Sequence, residues 1–155
     1  MVNRIICINF VAMEMTIELL EEKYDEYNEK YFGGKLPRPN HFGLLKSFKK
    51  YGEFKCNSHA PGSKLFNVTI SISCYYIWDE KHLRDVLCHE MLHYKCERSK
   101  NVEKDMHGQQ FLNAAEEMNK KYGLNISAHY DTALPLKASK NAPKFSLARL
   151  LYVRT

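Results

Sequence analysis

The chain has 155 residues of ordinary globular composition, 45% hydrophobic and 26% charged, which suits one domain whose core needs no disulfide staple. No run of 18 apolar residues could span a membrane, and the five cysteines (Cys7, Cys56, Cys74, Cys88, Cys96) never form CxxC, so neither a disulfide framework nor a cysteine zinc ribbon is encoded. The net charge of +5 sits in the tail: residues 1–131 hold 18 basic and 18 acidic residues, whereas Lys137, Lys140, Lys144, Arg149 and Arg154 have no acid among them.

The apolar stretch Ile5 to Met13 is too short for a signal peptide and lacks a small-residue cleavage site, so residues 1–15 read as an extension or an edge strand and the protein as cytoplasmic. Thr16 is a candidate cap for a helix in which Ile17, Leu20, Tyr24, Tyr27 and Tyr31 recur at three- and four-residue steps, and Gly33 and Gly34 end it. That helix is strongly acidic. From Lys35 to Lys64 the sign inverts, with seven basic residues against Glu53 alone, which predicts either a basic surface or an ordinary solvated face. Within that stretch and beyond it come three strand-like runs, Phe42 to Phe48, Glu53 to Asn57 and Leu65 to Ser73, with a hairpin turn expected at Tyr51 and Gly52 and another turn at Pro61 to Ser63.

Asp79 is the next candidate cap, opening a helix of about 17 residues that buries Leu83, Val86, Leu87, Met91 and Tyr94. A polar loop from Glu97 to Met106 leads to a further helix, Gln109 to Tyr122, stopped by Gly123. The basic remainder, with Pro135 and Pro143, reads as a loosely held tail, although Phe145 to Val153 is apolar enough to dock.

Residues 89–93 read His89, Glu90, Met91, Leu92, His93, the HExxH pattern. On a helix, positions i and i+4 share a face, so two imidazoles can reach one metal ion while Glu90 lies beside the first. The pattern alone can arise by chance. Here its flanks are helical and a third candidate ligand, His107, stands just before Gly108 and the following helix. Three neutral nitrogen donors would leave a zinc ion its full charge to acidify a water molecule, whose proton Glu90 can accept and pass on. Glu103 or Asp105 could replace His107, which is the more economical choice, while Cys96 lies too far along the helix axis and Cys88 points away. Asp85 could orient a ligand imidazole, although a helix-surface or capping role suits it and His82 better. His41, His59 and His129 have no ligand-like spacing and read as turn or surface residues.

Taken together, Tyr31-Phe32-Gly33-Gly34-Lys35-Leu36-Pro37, the strand Ile70 to Ser73, His89 to His93, and His107-Gly108 with Phe111 as HGxxF resemble the SprT-like zinc metalloprotease domain, shared by bacterial SprT proteins and the Spartan proteases of DNA repair. The resemblance runs from about Thr16 to Tyr122. It implies a zincin-like α+β single domain: an N-terminal helix, a small three-stranded, mainly antiparallel sheet, the HExxH helix and a following helix. It further implies zinc on His89, His93 and His107, with Glu90 as the catalytic carboxylate. The core would span 16–131 and the basic tail 132–155. The expected activity is cleavage of a protein or peptide, DNA-associated or DNA-crosslinked proteins among the candidates, by a monomer without membrane contact. Many such proteins carry a cysteine ribbon after the core, and here no cysteine follows Cys96, so segment 35–64 or tail 137–154 would have to supply any DNA contact. A non-hydrolytic zinc module that binds nucleic acid or protein is the competing expectation.

Overall fold

The computed structural model describes residues 11–130 and 133–144. Strand β1 (Met13–Glu14) leads into helix α1 (Ile17–Phe32), where the Thr16 side chain accepts the Leu19 N–H as cap. Gly33 and Gly34 take left-handed backbone, φ 63° and 67°, and the Gly34 N–H returns to the Asn28 carbonyl at 2.9 Å, closing the helix. Strands β2 (His41–Leu45), β3 (Gly52–Ser58), β4 (Leu65–Ser73) and β5 (Tyr76–Trp78) follow, then helices α2 (Glu80–Glu97) and α3 (Gln109–Tyr122) and a short β6 (Lys137–Ala138).

The three-stranded sheet differs from expectation in its pairing. Its order is β2-β4-β3, with β4 antiparallel to β3 but parallel to β2, so the sheet is mixed and no hairpin forms at Tyr51 and Gly52. The reason is burial. Val68, Ile70, Ile72 and Ser73 make β4 the most buried strand, and the centre of a sheet is where such a strand loses least. The chain therefore crosses from one side of β4 to the other through residues 46–51, held by Ser47, whose hydroxyl accepts the Lys49 and Lys50 N–H groups.

A second small sheet, β1-β5-β6, joins segments far apart in sequence. Met13 and Glu14 pair with Trp78 and Ile77, and Lys137 and Ala138 pair with Ile77 and Tyr76 from the other side. The first part of the tail is thus docked rather than loose: the Leu134 N–H donates to the Tyr51 hydroxyl at 2.8 Å, the Ser139 N–H to the Tyr75 carbonyl, and Ala142 is buried. The possible docking of Phe145 to Val153 lies outside the described residues, as does most of the apolar stretch before Met13.

Helix α2 is capped by Asp79, which accepts the His82 N–H, and every residue from Leu83 to Tyr94 except Arg84 is either a fully buried hydrophobe or a buried polar group. It packs against β3 and β4 on one side and against α1 and α3 on others, so it has no exposed stripe and is weakly amphipathic. Asp85, His89, Glu90 and His93 are therefore carried into the protein interior, where each needs a partner or a function. No helix among the described residues is long and apolar enough to cross a membrane.

Candidate metal centre

The turn of α2 that carries His89 and His93 meets His107 from the loop before α3. The three Nε2 atoms stand 3.0, 3.1 and 3.2 Å apart, and the three residues form a group that can hold a metal ion. With their lone pairs turned inward, three such nitrogens would suit a positive ion between them.

Each ring is fixed differently. His89 Nδ1 is 2.7 Å from the Ser127 carbonyl. A carbonyl only accepts, so Nδ1 carries the proton and Nε2 presents its lone pair to the centre. His93 stacks on Phe111 at 4.6 Å and lies parallel to Phe54 at 6.4 Å. His107 is held by its backbone, whose N–H donates to Asp105, and by edge contact with Phe111. Burial, with His107 nearby, pushes the His89 pKa down to about 4, and burial, with His89, pushes that of His93 down to about 3. Burial and His129 also lower that of His107. All three are neutral at physiological pH, the form that ligates a metal.

Glu90 is only 7% exposed. Burial, reinforced by the charge of Glu53, raises its pKa to about 8, against the opposing pull of the Phe54 backbone N–H and Lys50. Its carboxylate lies against Gly52 of β3: a Cβ built there would stand 2.7 Å from Oε1. A cleft of about 430 Å³ opens over this corner, with Gly52, Tyr51 and Lys50 on one wall and Ala128, His129 and Tyr130 on the other. A comparable cavity of about 470 Å³ at the C-terminal ends of the three helices, among Lys35, Lys95, Arg98 and Lys121, brings no ligand atoms together.

The other candidates fall elsewhere. Glu103 accepts the Gln110 N–H and so caps α3, whose Gly108 has no side chain to do it, and Asp105 accepts the His107 N–H. Cys88 is fully buried and Cys96 half-buried, outside the histidine group. His82 is clamped by its own cap, Asp79. Asp85 corrects the expectation of a surface or capping role: it is 4% exposed and accepts from the Asn125 N–H at 3.2 Å and the Arg84 guanidinium at 3.0 Å. His41 and His59 are exposed and distant. His129, read as a surface residue, is exposed but sits at the cleft with its ring 5.1 Å from that of His107. Ser127 and Tyr130 were not singled out by sequence. Of the seven basic residues in segment 35–64, Arg38 pairs with Glu21 and Asp25, and Lys50 and Lys55 share Glu53.

The architecture is that of a mixed α/β domain whose central helix lends two histidines to a three-histidine group beside a buried carboxylate. Residues 20–130 match the SprT-like family, and the chain belongs to it. No curated protein matches the chain closely enough to count as a relative.

Proposed function

We propose that the protein is a zinc-dependent metalloendopeptidase of zincin-like architecture, with His89, His93 and His107 as ligands and Glu90 as general base and acid. The observation that carries this reading is Glu90. A site built only to hold zinc for structure has no use for a buried carboxylate beside its ligands, and would close the fourth position with another Cys or His. A bound zinc ion would supply Lewis acidity and an acidified water molecule at the open position. The chain's own residues do the rest. The three imidazoles stay neutral and leave the ion's charge undiminished. Glu90, beside the three imidazoles, would take a proton from the attacking water and return it to the leaving amine.

Strand β3 is one of the two outer strands of its sheet and borders the cleft at Gly52, so an extended substrate backbone can pair along it. The resemblance to the Spartan proteases makes proteins bound or crosslinked to DNA the substrate class to test, with cations of segment 35–64 or tail 137–154 as the DNA contact. Glu90→Gln should retain one zinc per chain and lose cleavage of an unstructured protein, with or without DNA. An unmodified protein that binds DNA tightly yet cleaves nothing under either condition would instead establish the non-hydrolytic binding module.

A further inference from the structure

The loop after α3 reaches the metal centre through one main-chain atom, the Ser127 carbonyl that accepts from His89 Nδ1 at 2.7 Å. Two polar side chains hold that loop. Asn119 of α3 grips the peptide groups of Ile126 from both sides, donating from Nδ2 to its carbonyl at 2.9 Å and accepting its N–H at 2.8 Å. Asp85, one helical turn before His89, accepts the Asn125 N–H at 3.2 Å. We infer that Asn119 and Asp85 are positioning residues for His89, acting through the Ser127 carbonyl to fix which ring nitrogen faces the metal.

The plain alternative is that Leu124 and Ile126, both buried, anchor the loop by themselves. Apolar contact fixes where a segment lies, but it is non-directional and does not set the rotation of a peptide plane. A hydrogen bond does, because its strength falls steeply off line. Ile126 and Ser127 are consecutive, so the pair of bonds on Ile126 orients the backbone that aims the next carbonyl. Asp85 and His89 share one helix, which ties the loop to the ligand's own frame. His93 needs no such device, being held by ring stacking.

Asn28 provides an internal control. It makes the same pair of bonds to a loop after a helix, donating to the Leu36 carbonyl at 2.8 Å and accepting the Leu36 N–H at 3.1 Å, in a loop that, among the described residues, gives no hydrogen bond to His89, His93 or His107.

The inference rests on the proposed metal centre, and the test separates the two. In metal-free protein, ring-nitrogen NMR reports whether His89 carries its proton on Nδ1; in a second measurement, competition with a chelator gives zinc affinity. Asn119→Ala should give a mixture of His89 tautomers and weaken zinc by about 10- to 100-fold. Asn28→Ala should lower thermal stability to a similar extent while zinc affinity stays within about twofold, since its loop hydrogen-bonds none of the three histidines. Asp85→Ala should weaken zinc, and Asp85→Asn, which keeps the acceptor, should restore it. If Asn119→Ala does not fold, Asn119→Asp retains the acceptor alone and should show an intermediate loss. A single Nδ1–H tautomer with unchanged zinc affinity in whichever Asn119 variant folds overturns the inference. An unmodified protein with no zinc affinity overturns the metal centre instead, and the metal-free NMR measurement still decides the positioning role.

Discussion

Gly52 is the sharpest place to test the site, because one methyl group added there meets the proposed catalytic carboxylate before anything else. A Cβ at Gly52 would lie 2.7 Å from Glu90 Oε1 and 2.9 Å from its Cγ, where ordinary van der Waals contact begins at 3.4 Å. Glu90 is buried on a helix packed on all sides, so relief has to come from rotating or withdrawing its carboxylate by about 0.7 Å or from pushing β3 away. A displacement of about 1 Å at a reacting group costs about 100-fold in rate, and overpacking costs about 1–3 kcal/mol in stability. Gly52→Ala should therefore bind zinc as the unmodified protein does, unfold at lower denaturant, and cleave an unstructured protein substrate about 100-fold more slowly. Turnover at the original rate, with zinc bound and the protein folded, would show that the carboxylate against Gly52 is not the group that moves the proton.

Two further outcomes follow from the same geometry. In metal-free protein, His89 and His93 have folded pKa values of about 4 and about 3, below the ordinary 6.5, so the stability tied to their neutral form is whole above 6.5 and lost as pH falls. Glu90 runs the other way: its raised value, about 8, gives stability that is whole below 4.5 and lost as pH climbs through 8. Urea midpoints from pH 6.5 to 8.5 should thus fall for the unmodified metal-free protein and stay flatter for Glu90→Gln; parallel curves would remove burial of Glu90 as the cause. Tyr51→Phe deletes the hydroxyl that accepts the Leu134 N–H and should cost about 1 kcal/mol, seen as a drop in Tm. An unchanged Tm would mean that segment 133–144 contributes nothing through that bond.

Much of this architecture is legible in the sequence because it is written in local chemistry. Thr16 and Asp79 announce helix starts, Gly33 and Gly123 helix ends, and the alternation of Val68, Ile70 and Ile72 a strand. The grouping of His89, His93 and His107 follows from helical spacing and from the HGxxF run after it. Pairing is another matter. Which strand takes the centre depends on burial across the whole sheet, and the parallel β2 and β4 leave no mark in either strand. Strands β1, β5 and β6 are two or three residues long, too short to show a period. The contribution of Ser127 is illegible in principle, because it acts through a carbonyl that every residue possesses. The burial of Asp85 is hidden for a related reason: besides Arg84, its partner is the main-chain N–H of Asn125, 40 positions away.

Strand β5, which precedes α2, is flanked by β1 on one side and β6 on the other, and the Ser139 hydroxyl donates to Glu14 across 125 positions of sequence. Contacts so distant form after local helices and turns, since loop-closure entropy must be met before they repay it. During synthesis His89, His93 and His107 have all emerged before residues 134–142 exist to close that sheet, and the Leu134 bond to Tyr51 completes the cleft wall only then. The order of emergence makes β6 a latch, so the nascent chain holds its histidines and its carboxylate well before it holds a finished groove in which to use them.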